Sequence, residues 1–209
     1  MMATIKLVKK SVFAVGLGVV AAATVLADAP ASGKQPDMVA VGGSGKIAVV
    51  NTCGASKRVV DNVTSNFWKV MMIKTEVQTG KWSLAKAQDA FKSTKANAAV
   101  FIVNDPALPI SLVALESKWA VVNVHTLSDV ALYKEIQRMM CIILGAASSK
   151  YDSSTLRAAF SGAELEKMKG DGITFDTLIS IFEYIPALGV KQWQMVDREE
   201  AIEDGLIKK

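Results

Sequence analysis

The chain has 209 residues, a formal net charge of +4, two cysteines and one histidine. Two cysteines exclude a disulfide framework, and a single histidine excludes zinc sites built on two or three histidines and any relay that needs a pair of them. Lys6, Lys9 and Lys10 lie ahead of an apolar run; without them the balance falls from +4 to about +1, which leaves no basic patch of the kind nucleic acid requires.

Residues 1–27 have the layout of an export signal. The three lysines form a positive start, Ser11 to Leu26 is apolar and uncharged, and Val25 and Ala27 stand at −3 and −1 of a cut before Asp28. The run is shorter than the roughly 20 residues a membrane-spanning helix needs, and Gly16 and Gly18 weaken it as a helix. An uncleaved N-terminal anchor is the alternative. Either way the remainder is expected to be exported, to a periplasm or to the outside. No cysteine follows the run to take a lipid, and no later stretch is long and apolar enough for a second span. Cleavage leaves 182 residues, enough for one domain with its own core.

Residues 28–45 (DAPASGKQPDMVAVGGSG) read as a flexible linker. The single domain is expected over 46–190. It opens with a buried strand, 46–51 (KIAVVN), a turn over 52–56, and a helix capped by Ser56 that runs from Lys57 to about Trp68. Residues 69–78 (KVMMIKTEVQ) read as a strand rather than as more helix. Ser83 caps an amphipathic helix over 84–94. Residues 97–104 (NAAVFIVN) form the strongest strand; Pro106 and Pro109 then keep the chain irregular. Residues 118–125 (KWAVVNVH) form a further strand. Ser128 and Asp129 cap a long helix carrying Ile136, Met139, Met140, Ile143 and Leu144. Another helix is expected from Ser153 or Ser154 to about Lys169, broken at residues 170–172, and a last one from Thr174 to Leu188 with Pro186 bending or ending it. Residues 191–209 read as a polar tail. The alternation predicts an α/β fold: a mixed sheet of about four strands with packed helices and a helical C-terminal third.

Few residues offer chemistry. Cys53 lies between a strand and a helix, where the helix dipole favours a thiolate, and Arg58 follows five residues on. That spacing is one short of a cysteine-phosphatase loop, but its six residues resemble the active loop of the rhodanese family. Cys53 and Cys141 either pair in an oxidising compartment or remain buried thiols. His125 ends a strand. Gly42 to Gly45 precede a strand rather than follow one, which is the wrong order for a phosphate loop. Residues 167–176 lack the early carboxylates of a calcium loop.

The helix over 135–149 carries a sharper pattern. Arg138, Met139, Ile142, Gly145 and Ser148 fall on H-E-x-x-H-x-x-G-x-x-H, in which two histidines one turn apart grip zinc, the glutamate activates water, and the glycine lets a third histidine reach back. Only Gly145 agrees. Together with the order of strands and helices over about 46–149, the pattern resembles the catalytic domain of archaemetzincin-like peptidases of the metzincin group. The resemblance implies a peptidase fold whose zinc chemistry is lost, because Arg138 and Ile142 cannot bind zinc and Met139 cannot act as a base. It also implies a substrate cleft beside an edge strand, placed at 118–125 with Val121, Asn123 and His125 as peptide-pairing positions.

Two readings of function follow. The first is an exported, non-catalytic binding or structural module with no cofactor, no metal and a protein or peptide partner. The second is a thiol-dependent enzyme, rhodanese-like or hydrolytic, using Cys53 and Arg58.

Overall fold

The computed structural model describes residues 37–147, 149, 154, 156–169 and 173–205. The expected signal, 1–27, and the start of the expected linker lie outside them. In chain order the elements are β1 (Asp37–Gly42), β2 (Ile47–Asn51), α1 (Lys57–Met71), β3 (Thr75–Thr79), a 3-10 turn (Leu84–Lys86) leading into α2 (Ala87–Ser93), β4 (Ala98–Val103), β5 (Ser111–Ala114) and β6 (Trp119–Asn123). A second 3-10 turn (Val124–Thr126) then precedes α3 (Asp129–Ile143), α4 (Gly162–Lys167), α5 (Phe175–Leu188), β7 (Lys191–Val196) and α6 (Arg198–Glu203). Among the described residues no helix is long and apolar enough to cross a membrane.

The chain divides into two units, and residues 42–191 form the larger. Its sheet has the order β3-β2-β4-β6-β5. The first four strands are parallel, and β5 runs antiparallel to β6. Every residue of β4 is buried, as expected of a central parallel strand covered on both faces. On one face Ala48, Val50, Ala99, Phe101, Val103 and Val121 pack against Trp82, Ala90 and Phe91. On the other, α1 and α3 lie against each other and against the sheet.

The burial of α1 explains its length. Val59, Val63, Phe67 and Met71 recur every four residues, so the core stripe runs three residues past Trp68 before Met72 turns left-handed, φ 55°, and donates its N–H to Trp68 O at 2.9 Å. The strand expected over 69–78 therefore shrinks to Thr75–Thr79. Ser128 caps α3 as expected, its Oγ accepting from Ala131 N at 3.3 Å. The helix expected from Ser153 or Ser154 is only Gly162–Lys167. Its cap is Ser161, whose Oγ accepts from Glu164 N, while Glu164 Oε2 accepts from Phe160 N at 2.6 Å. The far end of α4 is closed by a side chain: Lys134 Nζ, from α3, donates to the carbonyls of Leu165 (3.0 Å), Glu166 (3.3 Å) and Met168 (2.8 Å). Pro186 sits in the last turn of α5, and Gly189 ends it at φ 65°.

Within the larger unit, the strand missed by sequence reasoning is β5. Pro106 and Pro109 do keep 104–109 irregular, but the chain is strand again from Ser111 and returns along β6 as a hairpin.

The smaller unit takes in the described residues up to 41 and from 192. It contains most of a two-stranded sheet, β1 with β7, and α6. This corrects both ends of the expected layout. The linker holds a strand because Val39 is buried between exposed Met38 and Ala40, a period of two. The polar tail holds another, in which Gln192 is buried and Trp193 half-buried. The glycines before β2 make close backbone contacts: Gly45 N donates to Gly189 O at 2.9 Å, and a Cβ on Gly43 would fall 2.2 Å from that same oxygen.

Candidate functional site

The stretch of α3 singled out in the sequence is buried and polar, and it faces the last strand of the sheet. Arg138 retains 7% of its surface and Glu135 none. One turn apart on α3, they form a bidentate pair: Arg138 Nε donates to Glu135 Oε2 at 2.8 Å and Nη2 to Glu135 Oε1 at 2.5 Å. Nη2 also donates to Ser111 Oγ on β5 at 3.2 Å. The remaining nitrogen, Nη1, has no partner among the described residues. Close by on the same helix, Gln137 is fully buried and its Oε1 accepts from Asn66 Nδ2 of α1 at 3.3 Å.

Met139 is core and Ile142 is half-buried. Gly145 follows the helix at φ +93°, a conformation L side chains rarely adopt, and a Cβ there would lie 2.7 Å from the Tyr184 ring. α3 thus ends in a positive-φ turn at the glycine of the sequence pattern. A guanidinium, a thioether in the core and an isoleucine do not fit zinc. Among the described residues no three of His, Cys, Asp and Glu gather to hold a metal. Ser148 lies outside the described residues.

The expected edge strand is corrected. β6 lies between β4 and β5, so Val121 is paired on both sides, with Phe101 and with Leu112. Asn123 is a clip rather than a free pairing position. Its Nδ2 donates to the carbonyls of Asp105 (2.7 Å) and Leu108 (2.9 Å), and its Oδ1 accepts from Asp105 N (3.1 Å) and His125 N (3.2 Å). His125 stands on the exposed 3-10 turn after the strand, with Nδ1 3.1 Å from Asn104 Oδ1.

The edge is β5. Asn123 N donates to Ile110 O at 2.8 Å. Counting by two along the antiparallel register, Leu112 and Ala114 exchange bonds with β6, while Ser111 and Val113 turn their N–H and C=O outward. No described strand pairs with that outer side. Val113 is 42% exposed, and Leu115 beyond it is also exposed. Sequence reasoning missed Ser111 and Glu135; the available signal was a glutamate three residues before Arg138, the spacing of a helical ion pair.

Cys53 lies elsewhere, in the turn after β2. Asn51 shapes that turn through two 2.9 Å bonds with the main chain of Ala55, and Thr52 is tied to Ile102 O by its N–H and hydroxyl. Both cysteines are free thiols. Burial pushes the Cys53 thiol up, against the smaller lowering effect of backbone N–H groups, whereas an activated nucleophile needs the opposite sign. Arg58 is an exposed side chain 3.6 Å from Asp129, and Lys57 pairs with Asp61 on the surface. Cys141 is fully buried, its thiol pushed up to about 12.

No protein-family model matches the chain, and no curated protein matches it in sequence. Solved structures do match in fold. An archaemetzincin from Methanopyrus kandleri is 13% identical, with a TM-score of 0.56 over 68% of this chain and 95% of its own. A zinc-dependent peptidase from Methanocorpusculum labreanum is 9% identical, with a TM-score of 0.52 over 65% of this chain and 100% of its own. The chain therefore has a fold similar to that of zinc-dependent peptidases, as the helix pattern and element order led us to expect.

Proposed function

We propose that this chain is an exported, non-catalytic module that holds an extended peptide along the free edge of its sheet. The observation that carries the reading is the buried Arg138–Glu135 pair. On the register read from the sequence, Arg138 takes the place of the first zinc-gripping histidine; it is a cation already neutralised by Glu135 and fixed to Ser111 of the edge strand. The likeness to peptidase folds suggests the ligand class, a polypeptide. Ser111 and Val113 offer the main-chain donors and acceptors for it. Thiol chemistry at Cys53 has less support, because its thiol is raised by burial.

The test uses protein purified from its export compartment without chelator. The reading expects an intact mass that starts at Asp28, zinc far below one per chain, and no cleavage of unfolded casein. One zinc per chain, with cleavage that a chelator abolishes, would overturn it and restore a peptidase.

A further inference from the structure

We infer that Arg138 Nη1 is the ligand-reading group of this module, donating to a backbone carbonyl of a peptide laid against β5; this rests on the edge-binding reading above. A guanidinium has five N–H donors. Glu135 takes two of them and Ser111 one, which leaves both on Nη1 without a partner among the described residues. Arg138 is more than nine-tenths buried, yet Nη1 is not among the described buried atoms left without a partner, so it is the part of the guanidinium that solvent reaches and that a ligand can take over from water.

The ligand's chemistry follows from the neighbours. Glu135 is wholly buried and already neutralises the guanidinium, so the pair presents a polar donor without net charge. The matching atom is an uncharged acceptor, a peptide carbonyl rather than a carboxylate. Its direction follows from Ser111, whose hydroxyl fixes the guanidinium to the same strand that turns its N–H and C=O outward at Ser111 and Val113. Side chains alternate along a strand, so Ser111 and Val113 share the face towards α3. A peptide added at this edge would meet main-chain partners from β5 and one side-chain donor from α3.

The probe is a short, fluorescein-labelled, capped peptide of alternating threonine and valine with a lysine at each end, followed by anisotropy against the full exported protein. Val113→Pro removes an outward N–H without touching the β5–β6 ladder, and it is expected to abolish binding. The paired change Glu135→Leu with Arg138→Met removes the reader without leaving a lone buried charge, and it is expected to weaken binding about tenfold at unchanged melting temperature. Replacing one peptide amide by an ester, which removes an N–H and makes the carbonyl a poorer acceptor, should then cost more affinity in the wild type than in the paired variant. Should the paired variant melt early, Arg138→Lys serves instead: it keeps the charge but lacks Nη1, and the same loss is expected. If Val113→Pro blocks binding while the Arg138 variants bind like wild type, the inference about Arg138 falls and the edge reading stands. If the wild type does not bind, or Val113→Pro binds equally well, the edge reading falls and takes the inference with it. A wild-type dimer that Val113→Pro splits would assign the edge to a second copy and overturn the proposal.

Discussion

Arg138 is a buried cation on α3, and its surroundings explain how it persists there. Both carboxylate oxygens of Glu135 accept from it, and Ser111 adds a third bond. Removing one member of such a pair leaves a buried, unmatched charge. Arg138→Met alone should therefore lower stability by about 3–5 kcal/mol, whereas the paired change with Glu135→Leu should be close to neutral. Urea midpoints of the three proteins check this; equal losses in the single and paired variants would show that the charges are not coupled. The pattern positions were legible in the sequence because they follow a spacing. The Glu135 partner was legible too, three residues before Arg138, but the bond to Ser111 was not, because Ser111 is distant in sequence and lies on a strand that sequence reasoning did not find. Cys141 gives a second prediction at this scale. Its folded thiol is pushed up to about 12, while an unfolded one titrates near its ordinary value of 9.0. Between these two pH values the unfolded chain binds fewer protons, so stability contributed by the neutral thiol is full below pH 9 and lost as pH rises towards 12. Cys141→Ala should flatten the alkaline fall in urea midpoint relative to wild type; an identical fall in both would count against a buried neutral thiol.

The short elements set the working surfaces. The β5 register makes a sharp claim, because neighbouring residues face opposite ways. Leu112→Pro removes a ladder donor and should cost about 3 kcal/mol or more, whereas Val113→Pro removes an outward one and should cost under about 1 kcal/mol. Comparable thermal shifts in the two variants would mean the register is displaced by one residue. At the exit of α3, Gly145→Ala meets both a positive φ and the Tyr184 ring, so a loss of about 2 kcal/mol or more is expected in the same assay. The ends of these elements were the least legible part of the sequence. Lys69 to Met71 look like the start of an apolar strand until Phe67 and Met71 are seen to share one helix face. The prolines at 106 and 109 hid β5 because they argue correctly about their own positions and say nothing about Ser111 onwards. The expected helix after Ser153 shrank because the capping pair lies later, at Ser161 and Glu164.

At the scale of the whole chain, the alternation of valine-rich runs and amphipathic stretches did announce a layered α/β fold, since parallel strands covered on both faces are apolar throughout. The order of the strands was not announced, because nothing local says that β6 is flanked by β5 rather than left free. A fold similar to that of metal-dependent enzymes invites a test of metal dependence in the fold itself. The melting temperature is expected to be the same with and without EDTA; a chelator-induced drop would reveal a structural metal. Lys134 offers a different handle on the same molecule. With its ammonium buried and all three protons given to the carbonyls that end α4, it is a poor nucleophile towards amine-acylating reagents, unlike the exposed lysines on the surface. Its acylation rate then becomes a clock for the separation of α3 from α4, readable by mass spectrometry of a single peptide in native buffer, without denaturant or label.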